Sequence, residues 1–414
     1  MRLFIAAILL GVVFNASAAA QADENVTRAE SVRRALSDDP GVAAAREAAN
    51  AAEASVRQAG ARANPTLELQ LEDFGGTDAF SGTGGAQATY TLAQEFALGG
   101  DRRARRRAAE TNAAAAVLRA GLSRADLQEA VEAAFVEAQA AEALARIATT
   151  RVATTKSLSA SVARRVAAAR DPAAAGSRVA AQLAEAEAAE VSAIARAAAA
   201  KAALASYWGG SSNFSIDLQS FEAADFRDAT ETAKSADIAL AESERARAAA
   251  AVDVERAKQA PDPTVTAGFR QLRETDSSAF VVGVSVPLPI WNRNAGAIAA
   301  ARAEASRADF EVKARERALA RETAYLASQA EAARSQIEAY ATRIIPGTER
   351  AHRETLSGYA QGGLSYIEVL DAEAALTMAR ERQIAARLMF HKSEIRLARL
   401  KGAMQATSSV ESSE

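Results

Sequence analysis

Asp262-Pro263-Thr264-Val265-Thr266-Ala267-Gly268-Phe269-Arg270-Gln271-Leu272 decides the architecture, because apolar Val265, Ala267 and Phe269 alternate there with polar or small residues. A polar turn over 273–278 follows, and Phe280, Val282, Val284 and Val286 then repeat the alternation up to Pro289. Successive side chains of a strand point to opposite faces, so this pattern predicts a β-hairpin over about 262–289. A second such stretch occupies about 64–98. There Leu67, Leu69 and Leu71 alternate, a glycine-rich turn spans 75–85, and Ala88, Tyr90 and Leu92 alternate again. Apolar residues on one face and polar ones on the other suit the wall of a membrane barrel.

Beyond each hairpin the sequence is helical over long distances. From Asp101 to Ala169 there is no proline and a single glycine, Gly121, while Leu118, Leu122, Leu127, Val131, Phe135, Leu144 and Ile147 recur at near-heptad spacing. At 1.5 Å per residue such a helix is on the order of 100 Å long. Breaks at Arg170-Asp171-Pro172 and at Gly358 to Gly363 turn each long helix into a return helix, ending near Trp208-Gly209-Gly210 and Leu400-Lys401-Gly402. Asn64-Pro65-Thr66 and Asp262-Pro263-Thr264 lie about 198 positions apart, so the chain reads as an internal duplication. The expected parts are a first repeat over 21–210, a connector over 211–226, a second repeat over 227–402 and a polar tail over 403–414. Met1-Arg2, the apolar stretch from Leu3 to Phe14 and the small residues ending at Ala20 read as a signal peptide over 1–20.

Composition narrows the function classes. A formal net charge of only -3 over 414 residues gives no nucleic-acid footprint. Apolar residues make up 49% of the chain and aromatics only 5%, with alanine runs that favour long, closely packed helices over one thick core. The absence of cysteine removes disulfides, thiolate metal sites and cysteine nucleophiles. His352 and His391 are the only histidines, no phosphate loop occurs, and no nucleophile has an evident partner, so neither an enzyme nor a resident cofactor is expected.

Four strands cannot close a membrane barrel, since the smallest common barrels need about eight. Open strand edges in lipid leave backbone groups unpaired at several kcal/mol each, so the chain must assemble. Two copies or more satisfy this arithmetic. The expected fold class is therefore mainly α with a small β part: a duplicated helix–hairpin–helix unit forming a long helical barrel continuous with a transmembrane β-barrel shared between copies.

Three segments resemble the TolC-like outer membrane factors, and within them the branch serving cobalt-zinc-cadmium type metal efflux. They are Val286-Pro287-Leu288-Pro289-Ile290-Trp291-Asn292-Arg293-Asn294-Ala295-Gly296-Ala297-Ile298, the tip-like stretch from Gly358 to Ala372, and Arg170-Asp171-Pro172 with Gly176-Ser177-Arg178. The resemblance implies an outer-membrane homotrimer docked to a periplasmic adaptor and to an inner-membrane transporter of the resistance-nodulation-division class. Energy would come from that transporter, and this subunit would be a passive, gated conduit for metal cations. Organic drug efflux or type I secretion through the same architecture is the neighbouring alternative. A soluble periplasmic coiled-coil adaptor or scaffold is the alternative of another class, although adaptors carry one helical hairpin with flanking domains that this chain lacks.

By motif match, Tyr359, Glu368 and Asp371 fall where the family builds its periplasmic constriction, the tyrosine tying helices together and the carboxylates lining the aperture. Carboxylate rings favour cations at close range; solvated helix-face charges are the competing reading for Glu368 and Asp371. Leu364 stands where some members carry an arginine. Trp291 and Tyr90 suit an aromatic belt at a membrane interface. Arg102 and Arg103 open a cluster with Arg105, Arg106 and Arg107 at a helix start, where cations oppose the macrodipole. Outer-membrane lipid headgroups are one attraction that would offset this, and a merely solvated cluster is the other reading.

Overall fold

In the computed structural model, which describes residues 25–223, 235–402 and 404, the chain forms two helical lengths that each pause for a strand hairpin. After β1 (Asn25–Val26), Thr27 caps α1 (Arg28–Asp38) by accepting the Glu30 amide at 3.2 Å, and Asp39 caps α2 (Pro40–Ala59) by accepting the Val42 amide at 2.8 Å. Each cap satisfies an N–H that a helix start leaves open, and Pro40 in the first turn gives up a donor that would be free anyway. β2 (Thr66–Glu72) and β3 (Gln87–Glu95) form the first hairpin, α3 (Asp101–Ala167) runs for 67 residues, and α4 (Ala173–Ala205) returns. β4 (Ser215–Ile216) pairs in parallel with β1 and leads to α5 (Gln219–Ala223).

The second half repeats the plan with α6 (Ala236–Ala257), β5 (Thr264–Leu272), β6 (Ser277–Ser285), α7 (Ala295–Ala339), α8 (Ile345–Gln361) and α9 (Tyr366–Leu400). A π turn at Tyr340–Ile344 joins α7 to α8, and the three together equal α3 in length. Pro346 accounts for the turn, because it has no amide to bond back and its ring crowds the carbonyl four residues earlier. Sequence reading marked where this helix ends but not the irregularity within it.

The four long strands make one antiparallel sheet in the order β2-β3-β5-β6, so the two repeats meet where β3 pairs with β5. That approach is close: a Cβ on Gly268 would lie 1.9 Å from the Tyr90 carbonyl oxygen, which excludes any side chain there. The register places Leu67, Leu92, Ala267 and Val282 in one row, and Leu69, Tyr90, Phe269 and Phe280 in another on the same face. Glu68, Thr91 and Gly268, then Gln70, Thr89 and Arg270, point to the opposite face. The apolar rows cover nothing in the single chain, with Phe280 93% and Val282 75% exposed. Among the described residues no helix is long and apolar enough to cross a membrane, and no strand pairs with the outer edge of β2 or β6.

The middle of α3 is where the halves consolidate. Val131, Phe135 and Ala138 bury against Val26, Ala35, Leu204, Phe214 and Ile216, and one turn further Ala140 packs with Phe221 and Ile384. Within the expected connector over 211–226, Phe214, Ile216, Leu218 and Phe221 are buried. The expected signal peptide over 1–20 lies outside the described residues, as does most of the 403–414 tail.

A buried ionic network closes the same level. Asp237 on α6 accepts from Arg399 on α9 and Arg315 on α7, and Arg399 also donates from Nε to Asp126 on α3 at 2.7 Å. Arg396 spans Glu129 on α3 and Glu322 on α7 at 2.8 Å each. Burial pushes the Asp237 carboxyl up, but the hydrogen bonds from Arg399 and Arg315 outweigh it and hold the group below the usual carboxylate range. Removing one member of a buried pair leaves the other charge uncompensated, so Asp237→Ala is expected to cost about 3–5 kcal/mol of helical stability, read as a lowered denaturation midpoint by circular dichroism. Because the folded-state pKa is depressed, this contribution is present above the unfolded value of about 3.9 and is lost as pH falls through the lowered one, so wild type and variant should converge only in strong acid.

Candidate functional site

Far from the sheet, α3 and α8 reach their ends side by side. α3 stops at Ala167, and Ala169 takes a left-handed conformation with φ 54 before Asp171-Pro172 redirects the chain into α4. α8 stops at Gln361, and Gly362 adopts φ +85, the C-terminal cap conformation that glycine takes without a Cβ penalty. The amides of Gly362 and Gly363 then donate to the carbonyls of Tyr359 and Gly358 at 3.0 and 2.9 Å, satisfying the last turn.

These two terminations bring three side chains together. The Tyr359 hydroxyl donates to Asp171 Oδ2 at 2.6 Å, and Arg165 donates from Nε to the same oxygen at 3.0 Å and from Nη2 to Oδ1 at 3.2 Å. Arg165 Nη1 also donates to the Tyr359 carbonyl at 2.8 Å, and its guanidinium lies 4.5 Å from the centroid of the Tyr359 ring. The ring is buried among Leu158, Val162, Ala175, Val179 and Val369, so α3, α4, α8 and α9 all hold it. Burial, reinforced by the Asp171 hydrogen bond, pushes the Tyr359 phenol well above its ordinary value, so it stays a donor. The Arg165 hydrogen bond, then that of Tyr359, holds the Asp171 carboxyl below its usual range, so it stays an acceptor.

Glu368 and Asp371 lie nearby on exposed positions of α9. The Glu368 carboxylate accepts from the Ser365 amide at 2.7 Å and its hydroxyl at 3.0 Å, which completes a capping box at the start of α9. Hydrogen bonding from Ser365, first from the amide and then from the hydroxyl, holds this carboxyl low. One turn beyond Val369, Glu373 is buried against α3 with the Thr155 hydroxyl donating to it at 3.0 Å, and burial pushes its carboxyl up. The structure therefore draws Tyr359 into a latch with Arg165 and Asp171, while Glu368 and Asp371 stay outside it.

The other expected site residues stand at the opposite end of the molecule. Tyr90 stacks on Phe269 with ring centroids 4.9 Å apart, on the apolar sheet face. Trp291 is 94% exposed beyond β6, and Arg102 and Arg103 are exposed in the first turn of α3. Sequence reasoning missed Arg165, and it noted Asp171 in a motif without giving it a partner. The available signal was that Arg165 and Tyr359 occupy equivalent places near the ends of the two equal-length helices. Among the described residues no group of three histidine, aspartate or glutamate side chains converges to hold a metal ion.

The fold has close counterparts. The outer membrane protein VceC from Vibrio cholerae superposes with a TM-score of 0.78 over 91% of this chain and 96% of that one, at 20% identity. The cobalt-zinc-cadmium resistance protein CzcC of Cupriavidus metallidurans is 30% identical over 187 residues, which are 44% of this chain and 45% of that protein. The nickel and cobalt resistance protein CnrC of the same organism is 42% identical over 69 residues, 17% of this chain and 16% of that one. The matched segments thus span less than half the length of these two relatives. The outer membrane efflux protein family matches far more, residues 31–210 and 230–403. On that match the chain belongs to the outer membrane efflux protein family, and it is a non-enzymatic transport protein of the outer membrane.

Proposed function

We propose that this chain is one subunit of a homotrimeric outer-membrane conduit for divalent heavy-metal cations, coupled to a periplasmic adaptor and an inner-membrane resistance-nodulation-division transporter. The observation that carries the reading is the four-stranded sheet, whose apolar rows are exposed and whose two edges are open. In hydrocarbon an unpaired backbone edge costs several kcal/mol per group, so β2 of one copy must find β6 of the next until the ring closes. The nine-residue strands β3, β5 and β6 are at the lower end of the length that a tilted crossing of the bilayer needs, and β2 with seven is shorter. The metal cargo is favoured by the relatives that carry cobalt, zinc, cadmium and nickel resistance in their names. Transport needs no resident metal site here: a cation passing through should be held weakly.

In this reading the Arg165–Asp171–Tyr359 latch keeps the helical tip closed by tying the end of α3 to the end of α8. Glu368 and Asp371, exposed beside it, present carboxylates to the narrow aperture, where a negative ring favours cations over anions. Glu368 serves two ends, since its carboxylate also caps α9. Opening requires α8 and α9 to swing away from α3, which breaks the latch without disturbing the core around Phe135.

Val282→Arg, in the middle of the lipid-facing rows, should cost about 2–4 kcal/mol and abolish outer-membrane insertion, whereas Gln70→Arg on the other face should insert normally; detergent-extractable membrane protein is the measure. In planar bilayers Tyr359→Phe and Asp171→Asn should each raise the open population about tenfold, because each removes a hydrogen bond to a charged group or the charge itself. Since Asp171 is held low, wild-type conductance should be flat from neutral pH down to the ordinary carboxylate range and rise only as pH falls through the depressed value, while Asp171→Asn shows no such rise. Finally, cells lacking the chain should lose tolerance to cobalt, zinc or cadmium salts; unchanged metal tolerance with new sensitivity to organic drugs would contradict the cargo.

A further inference from the structure

The end of the molecule between sheet and helices carries cations that the conduit reading does not use. Segments ending α2, preceding α3, ending α6 and preceding α7 all converge there. The Gln94 side chain donates to the Ala63 carbonyl at 3.0 Å, the Leu98 amide to Asp262 at 3.1 Å, and the Gln259 side chain to the Arg293 carbonyl at 2.8 Å. The convergence gathers Arg57, Arg62, Arg102, Arg103, Arg107 and Arg293, every one exposed and with no acidic partner among the described residues. The carboxylates close by are largely committed: Asp101 to Arg105, Glu110 to Arg106, Glu255 to Lys258, and Asp262 to the Leu98 amide.

Such a cluster is unfavourable in the isolated chain. Arg102 and Arg103 sit in the first turn of a 67-residue helix, where the macrodipole repels cations, and six unpaired guanidinium groups repel one another. An anionic group outside the chain would offset this. The adjoining surface says what: beyond the strand ends Phe96, Leu98, Val286, Leu288 and Ile290 are exposed apolar residues, followed by the 94% exposed Trp291. Apolar wall, then tryptophan, then unpaired arginine is the order in which hydrocarbon, interface and headgroup follow one another.

We propose that these six arginines form a collar that binds the anionic phospholipid headgroups of the periplasmic leaflet, fixing how deep the sheet sits in the bilayer. The inference rests on the sheet being lipid-facing, as proposed above. Guanidinium suits the partner because its planar fork donates two bonds to one phosphate.

The test reconstitutes the purified full-length protein into vesicles of phosphatidylcholine with or without phosphatidylglycerol and measures the fraction inserted by flotation. Wild type should insert at least about tenfold more efficiently with phosphatidylglycerol present, and high salt should erase the advantage. R102Q/R103Q/R107Q should lose most of it, and R102K/R103K/R107K should keep it. Equal insertion of wild type into both vesicles overturns the collar, as does a glutamine variant that keeps the full advantage, the result expected if these side chains face the lumen. Should the glutamine variant fail to fold, the lysine variant and the salt series decide by themselves: an advantage that survives high salt overturns the proposal. Failure of wild type to enter either vesicle would sink the membrane reading itself.

Discussion

Backbone pairing is the constraint on which everything else depends. A four-stranded sheet with one apolar face has, among the described residues, nothing to cover that face and no partner for its β2 and β6 edges. Water would tolerate the edges but not rows as apolar as Leu67-Leu92-Ala267-Val282; hydrocarbon tolerates the rows but not the edges. In the proposed assembly both demands are met together, because copies share edges inside a membrane. The opposite face, with Glu68, Gln70, Thr89 and Arg270, then surrounds water.

The helices follow from the same requirement for partners. Alanine-rich surfaces such as Ala49, Ala52 and Ala116, or Ala145, Ala193 and Ala197, bury little each and gain by close approach along great length. Specificity at mid-length comes instead from the larger residues around Phe135 and from the Asp237–Arg399 network, which fixes four helices relative to one another. At the tip, Tyr359, Asp171 and Arg165 tie the ends of the two halves over an apolar cluster of Leu158, Val162, Ala175, Val179 and Val369. In the proposed reading, releasing these three side chains moves the tip while the frame around Phe135 holds.

Much of this was legible in the sequence, and the reasons for success and failure are physical. Alternation of period two is local, so Val265, Ala267 and Phe269 revealed their strand directly, and the hairpins fall inside the expected 64–98 and 262–289. The duplicated plan was equally visible, because proline and glycine punctuate both halves. Contacts between distant residues were not: Asp171 and Tyr359 are separated by 188 positions, and only the folded hairpins bring them to 2.6 Å. Two local signals mark finer features. Pro346 inside a long helix marks the π turn, and Ser365-x-x-Glu368 is a capping-box pattern that fixes the start of α9. Over 211–223 the polar Ser211, Ser212 and Asn213 precede the buried Phe214, Ile216 and Phe221, whose contacts are with residues distant in the chain.

The shared-edge account is tested most directly by disulfide scanning between β2 (Thr66–Glu72) and β6 (Ser277–Ser285), which the natural absence of cysteine makes clean. With one cysteine in each strand and oxidation in native membranes, the account predicts cross-linking in a single register, producing a covalent ladder that stops at three copies. No cross-link at any register, or bonds forming only within one chain, would contradict it.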